Sequence, residues 1–329
     1  MRLGKADARL VAVWRLFLPE KAAGRSKDGM RTMNKKKRIP GKKYPIDRTF
    51  VVPALVIVAV ATQAPFLLSI IFSLLRWNIV RPDQGITFAG LQNFIYYLAD
   101  SEFYIICLQT VGIIGASLII CMVLGYLIAL MLDSDIPGKT LSRTLILSPF
   151  FIMTTTTGVL WKTTILNTNY GWVGKLSDML NIDVVDFVSF YPRQTLVFLF
   201  VWQWMPFFVL VLLGGLQGIP GEVLERANLD GCSWFEMVFK IKLPMIFNHM
   251  QVALLLGFIF LMKEFGLILT TTNGGPGQKS YTLTFYIYKA LFSGSNVGRA
   301  ATLSVLTVIG MLIIINLIQK AIKIRRRKL

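Results

Sequence analysis

Histidine, cysteine and acid are scarce in this sequence. Its 329 residues include one histidine, His249, and three cysteines, Cys107, Cys121 and Cys232. A lone imidazole without cysteine or carboxylate partners at ligand spacing makes no metal site. Two of the cysteines fall within one long apolar run and the third in a polar loop, so no disulfide framework is expected. Asp and Glu number 17 against 35 Lys and Arg, and charged residues make up only 16% of the chain. An enzyme in the bilayer would need acids, bases or metal ligands facing one cavity. Inside the apolar runs only Lys263-Glu264 is on offer, so no catalytic residue, no metal and no bound cofactor is expected.

What fills the chain instead is hydrocarbon. Hydrophobic residues reach 54% and the mean hydropathy is +0.60, values of a membrane protein. About 20 apolar residues span the roughly 30 Å hydrocarbon core, and six runs qualify: 50–75, 103–132, 144–165, 194–217, 245–271 and 299–322. Backbone polar groups cannot stay unpaired in lipid, so runs of this length are helices. No ten-residue alternation of a membrane β-barrel is present. The expected fold class is an all-α membrane protein with six transmembrane helices.

The net charge of +18 resembles a nucleic-acid footprint until its distribution is read. Residues 1–48 hold 15 Lys and Arg and residues 320–329 hold 6; with loops 133–143 and 218–244, one side totals 26. Loops 76–102, 162–193 and 272–298 hold 7 between them. This is the positive-inside pattern, which puts both termini and segment 218–244 in the cytoplasm. No nucleic acid is implied. The chain divides into a basic cytoplasmic extension (1–48), a membrane domain (49–322) and a basic tail (323–329). The apolar stretch 10–18 is broken by Arg15 and lacks a cleavage site, so it is not read as a signal peptide; an amphipathic surface helix and a disordered basic arm both fit it.

Between the runs, short helices are expected at 91–98, 173–180 and 282–292. Gly112, Gly115 and Gly125 suit close helix packing. Pro206 should kink the fourth span, and His249 belongs at the inner end of the fifth.

The polar island 218–244 is the most specific feature. Glu225-Arg226-Ala227 is followed by Asp230-Gly231 and then by Ile241-Lys242-Leu243-Pro244. Glu222, Val223, Leu224 and Ala227 form one small, partly apolar face, with Arg226 on the exposed side. Gly231 permits a left-handed turn. Trp234, Phe235, Val238 and Phe239 form a second apolar face, and Pro244 ends that helix. The pattern resembles the coupling loop of ATP-binding-cassette (ABC) importer permeases, with a Glu-Ala-Ala triplet, a glycine four residues on and an Ile-x-Leu-Pro ending; Arg226 departs from it. An ordinary helix–turn–helix loop does not account for the spacing over more than twenty residues.

A second motif, Leu269-Thr-Thr-Thr-Asn273-Gly-Gly-Pro-Gly277 with Tyr286, Tyr288 and Phe292 after it, resembles the Gly-Gly-Pro turn of the carbohydrate branch, in the larger partner of the permease pair. Its Asn-Gly-Gly-Pro-Gly form looks like that of sugar-alcohol permeases. The resemblance implies a type I importer permease fold in a bacterial inner membrane. It also implies a heterodimer with a second permease, two cytoplasmic ATPase subunits that carry the ATP and Mg, and an extracytoplasmic solute-binding protein. The coupling loop would dock on the ATPase, with Glu225 facing a basic residue there. Alternating access would follow.

Candidates for the solute path carry two readings each. Thr154 and Thr157 could line it or bond back within their helix. Trp161, Trp202 and Trp204 could stack on sugar rings or anchor at interfaces. Lys263 and Glu264 are costly in hydrocarbon, or lie at a helix end with the lysine snorkelling. Asn273 opens the Gly-Gly-Pro turn. Gly138-Lys139-Thr140 and Gly274–Ser280 mimic phosphate loops but lack a required glycine and a preceding strand, so ATP is not bound here. The competing class, a self-sufficient secondary transporter or channel, calls for a second half of matching topology or for discontinuous helices in paired positions, and neither is expected from the sequence.

Overall fold

The computed structural model describes residues 46–134 and 137–326. The basic extension up to residue 45 and the last three residues of the tail lie outside them. Two compact units divide the chain, Met1–Val60 and Ala61–Leu329. Of the first, the described part is the start of helix α1 (Ile46–Ser73), exposed from Val51 onward.

The second unit is helical except for a two-stranded antiparallel ribbon, β1 (Leu75–Arg76) with β2 (Thr87–Phe88). That ribbon is a small departure from an all-α fold. The helices are α2 (Gln92–Leu98), α3 (Ser101–Asp133), α4 (Lys139–Leu147), α5 (Thr154–Leu160), α6 (Trp172–Leu180), α7 (Phe187–Phe190) and α8 (Pro192–Gln217). They continue with α9 (Gly221–Leu229), α10 (Trp234–Glu236), α11 (Leu243–Met245), α12 (Phe247–Lys263), α13 (Gly266–Thr271), α14 (Leu283–Tyr288) and α15 (Val297–Arg326). Local chemistry sets several ends. Asp100 Oδ1 accepts from the Glu102 amide to start α3, and the Thr282 hydroxyl accepts from the Phe285 amide to start α14, as N-caps do. The three short helices expected between the spans are α2, α6 and α14, the last running on as a π-turn over Lys289–Ser293.

Among the described residues, four helices are long and apolar enough to cross a membrane: Val51–Ser73, Ser101–Asp133, Pro192–Gln217 and Val297–Lys323. Two more count only as bent pairs, Lys139–Phe151 with Thr154–Ile165 at 97° and Trp234–Met245 with Phe247–Lys263 at 66°. The chain is therefore a multi-pass membrane protein, but two of the six runs are not straight spans, so discontinuous helices, which the sequence did not lead one to expect, are present. Run 144–165 breaks after the 3₁₀ turn Ser148–Phe151, where Ile152 and Met153 are extended. Pro149 lies in that turn and cannot donate to a helical ladder. Run 245–271 breaks at Glu264 and Phe265, between α12 and α13. Pro206, by contrast, is buried inside α8, which runs past it without a break.

The core lies where α3, α8 and α12 meet, around Ile113, Leu199, Phe200, Phe208 and Leu261. Lipid tails are as apolar as leucine, so such helices associate through fit and hydrogen bonds rather than through hydrophobic transfer. Phe208 supplies the fit: a β-carbon on Gly125 would come within 2.8 Å of its Cβ, and one on Gly257 would strike its ring. Gly112 and Gly115 meet nothing within 4 Å, so only one of the three glycines expected to serve packing does so within this chain.

Gln203 supplies the hydrogen bonds. It is 2% exposed, and its amide reaches three groups at the broken span. Nε2 donates to the Pro149 and Ile152 carbonyls at 2.8 Å each, and Oε1 accepts from the Thr157 hydroxyl at 2.5 Å. One side chain thus pairs the carbonyls that the break releases. Gln203→Leu should cost about 1–3 kcal/mol, since the Ile152 carbonyl and the Thr157 hydroxyl lose their partner while Pro149 O keeps only the Ile152 amide. Thr157→Val should cost less, because both carbonyls keep theirs. Unfolding of the purified chain in detergent measures the order; equal costs, or none, would contradict the clamp.

Candidate functional site

The loop after α8 is built by short-range rules. Helix α9 ends in a double carbonyl closure: the Cys232 amide donates to Ala227 O and the Gly231 amide to Asn228 O, both at 3.1 Å. That Schellman ending needs a left-handed residue between them, and Gly231 has φ +76°. Ser233 then opens α10 with a capping box, its hydroxyl accepting from the Glu236 amide while Glu236 reaches back to the Ser233 amide. A π-turn over Met237–Lys242 joins α10 to α11. Pro244 does not stop this segment, since it sits within α11. The bend falls at Ile246, before α12.

Two faces follow. Ala227, Met237, Val238 and Ile246 are buried, and Leu224 and Leu243 pack beside them on a cluster that includes Tyr126, Leu130 and Leu216. Val238 therefore does not belong with Trp234, Phe235 and Phe239, because the π-turn rotates it inward. The opposite face leaves Leu229 at 87%, Trp234 at 62%, Phe235 at 67% and Phe239 at 53% exposure. Glu222, Glu225, Arg226 and Asp230 lie on exposed positions too, Arg226 3.9 Å from Glu222; so exposed a pair adds little. Ile241 is half-buried.

Two polar bonds fasten the loop to α3. The Tyr126 hydroxyl donates to Val238 O at 3.0 Å, and Lys242 Nζ lies 2.7 Å from Asp133 Oδ2 with both side chains below one-fifth exposed. Neither was foreseen. Asp133 and Lys242 are 109 residues apart, and each reads as a routine charge at the end of an apolar run.

The second cluster forms where the two broken spans meet. Gly158 of α5 packs on Thr270 and Thr271 of α13. Gly266, at the break after α12, faces Thr155, Glu264 and Thr154. Thr154 and Glu264 are thereby brought to one locality, while Thr157, buried one turn on, gives its hydroxyl to Gln203. Glu264 Oε1 accepts from the Leu267 amide at 3.1 Å, capping the second half of its own broken span. Lys263 is exposed, its Nζ 5.8 Å from the centre of the Phe260 ring. Beside the breaks, Trp204 stacks on Phe260 at 5.2 Å, and its buried indole N–H has no acceptor. Gln203 and Trp204 were the signals to weigh, polar atoms within an apolar helix.

Trp161, one turn beyond Thr157, touches Trp202 edge to face at 5.4 Å. Trp202 also borders a cavity of about 950 Å³ between α3 and α8. Its wall is apolar apart from Gln109, Arg193 and Gln194. Asn273 is exposed, with φ +50°; Gly274 follows under the Tyr281 and Phe285 rings, and the Gly275–Pro276 bond is cis.

Comparison with known proteins agrees with this geometry. A trehalose transport system permease of Mycobacterium tuberculosis is 32% identical over 260 residues, covering 78% of this chain and 81% of the relative. A trehalose/maltose transport system permease of Thermococcus litoralis is 29% identical over 259 residues, 78% of this chain and 86% of the relative. A bacterial alginate ABC transporter solved with its pentasaccharide-bound periplasmic protein contains a chain that superposes with a TM-score of 0.71 at 18% identity, over 83% of this chain and 92% of that one. No protein-family model matches.

The Lys242–Asp133 pair can be tested directly. Lys242→Met and Asp133→Asn should each cost about 1–3 kcal/mol, between the values of exposed and fully buried pairs. The double variant should cost clearly less than their sum. Unfolding of the four chains in detergent gives the cycle; strictly additive losses would remove the pair from the account.

Proposed function

The chain belongs to the ABC transporter permeases, and on that premise we propose that it is the membrane subunit of a sugar importer driven by ATPase subunits on other polypeptides. The observation that carries this reading is the loop 218–244. Its inner face is anchored to α3 and α8 by burial, a hydrogen bond and an ion pair. Its outer face leaves four large apolar side chains exposed, a surface that matches a protein partner. Glu222, Glu225, Arg226, Asp230 and Gly231 would frame that dock, with Ala227, Ile241, Leu243 and Pro244 holding its shape. Two copies of an ATPase would bind the ATP and Mg; this chain needs no cofactor of its own.

In this reading the chain makes six crossings, counting each bent pair once, the charge asymmetry puts both termini in the cytoplasm, and the family kinship makes the membrane a bacterial inner one. The domain division at 48 and 322 follows with them. The cavity beside Trp202 and its apolar wall suit the packing of a second, non-identical permease better than a sugar. The solute path would run by the facing breaks, where Thr154 and Glu264 gather, Thr157 lies one turn on and the Trp204 N–H is available, with Trp161, Trp202, Lys263 and Asn273 further along it. A sugar's hydroxyls suit such a lining. Relatives named for trehalose and maltose transport support a carbohydrate, delivered by an extracytoplasmic binding protein as in the alginate system. The Asn-Gly-Gly-Pro-Gly turn leaves sugar alcohols within that class.

Gly231→Val tests whether the loop acts as a rigid lever that carries ATPase movement to the spans. A β-branched residue at φ +76° is strained by about 1–3 kcal/mol, enough to deform the turn and not enough to unfold a multi-span chain. In the assembled transporter the variant should insert normally, hydrolyse ATP without moving solute, and leave ATPase activity unresponsive to the loaded binding protein. Full transport by the variant would contradict the reading.

A further inference from the structure

We propose that a positively lined hollow at the junction of α1, α2, α14 and α15 binds the phosphate of an anionic phospholipid headgroup. The hollow encloses about 640 Å³ and is lined by Arg76, Arg81, Lys289 and Arg299 together with amides and tyrosines, and by no carboxylate. Among the described residues none of the four cations has a carboxylate within ion-pair distance. Loop 76–102 contains only two basic residues, Arg76 and Arg81, and both line this one hollow. Such convergence of unpaired cations raises the local positive potential and favours an anion.

The walls are held in place without a ligand. Asn78 bridges Asn296, the Ile79 amide donates to Ser295 O at 2.9 Å and the Val297 amide to Trp77 O at 3.0 Å. Asn93 Nδ2 donates to Ser73 O and Leu75 O, each at 2.9 Å. The guanidinium of Arg76 donates to Gln92 Oε1 at 2.5 Å, and that of Arg299 stacks 3.9 Å above the Tyr96 ring. Lys289 Nζ lies 5.7 Å from the centre of the Phe285 ring, so three cations are oriented, while among the described residues Arg81 makes no such contact.

Position identifies the source of the anion. Span Val51–Ser73 ends, and span Val297–Lys323 begins, at this hollow. Arg76 and Arg299 therefore sit at headgroup depth, whichever leaflet that is. Loop 76–102 also presents apolar side chains to the surroundings, Ile79 at 57%, Val80 at 71%, Ile86 at 57% and Phe88 at 77% exposure. A soluble anion has no use for that rim. A phospholipid does, since its glycerol and acyl chains continue from the phosphate along apolar surface.

Native mass spectrometry of the full chain in mild detergent, offered equal amounts of phosphatidylglycerol and phosphatidylcholine, tests the site. The wild-type chain should retain phosphatidylglycerol in preference. Arg81→Gln with Arg299→Gln should reduce that preference roughly tenfold, as expected when two cations near a lipid phosphate are lost. Arg81→Lys with Arg299→Lys should restore most of it, which separates lost charge from lost fold. Equal preference in wild type and the Gln variant would overturn the proposal, as would displacement of the lipid by millimolar inorganic phosphate. Unchanged lipid retention with weakened affinity for the binding protein would assign the hollow to a protein partner instead. None of these readouts depends on transport, so the site can fail while the transport reading stands.

Discussion

The structure turns on how a loop of modest polarity is fastened beneath apolar helices. Burial of Val238 and Ile246 seats the segment. The Tyr126 hydroxyl and the Lys242–Asp133 pair then fix its register against α3. Each bond is directional, and the pair is shielded enough that salt screens it weakly. A loop held only by apolar contact could slide; one held at two points by polar bonds moves with the helix that holds it. On the proposed reading, that constraint is what would let the exposed aromatic face pass a partner's movement to α3 and α8.

The same logic recurs at mid-depth. Hydrocarbon tolerates a broken helix only where other groups pair the freed backbone. Gln203 pairs the break after Pro149, and Glu264 caps the helix that restarts after Phe265. The two breaks face each other through Gly158 and Gly266. The breaks bring threonine hydroxyls and the Glu264 carboxylate to the same place, which is chemistry a polar solute can use. Inner anchor and mid-depth breaks both meet α8, since Leu212 and Leu216 pack at the loop end and Gln203 at the breaks.

Much of this was legible in the residues. Hydropathy located all six apolar runs, because burial on all sides in lipid leaves a signal that depends on length and composition alone. Gly231, Ala227 and the outward Arg226 behaved as their local chemistry required. What the residues did not disclose were breaks and long-range bonds. Run 144–165 carries a proline early and run 245–271 a Lys-Glu pair, yet α8 carries Pro206 and stays unbroken, so proline alone does not decide. Pairing decides: Gln203 stabilises a break one span away. Periodicity cannot reveal a partner 109 residues distant, nor the π-turn that moved Val238 from the aromatic face to the core. Gly112 and Gly115 have no close neighbour among the described residues of this chain; a small residue suits any close neighbour and does not say whether that neighbour belongs to the same chain.

The central claim is that the loop and the end of α3 form one rigid body. Spin labels at Leu229 on the loop and Met131 on α3, both exposed, would report their separation by pulsed electron resonance in the assembled transporter. The account predicts the same distance, equally narrow, in nucleotide-free and nucleotide-bound states. A separation that shifts or broadens by several ångströms on nucleotide binding would show the loop moving on its own, and the lever would be lost.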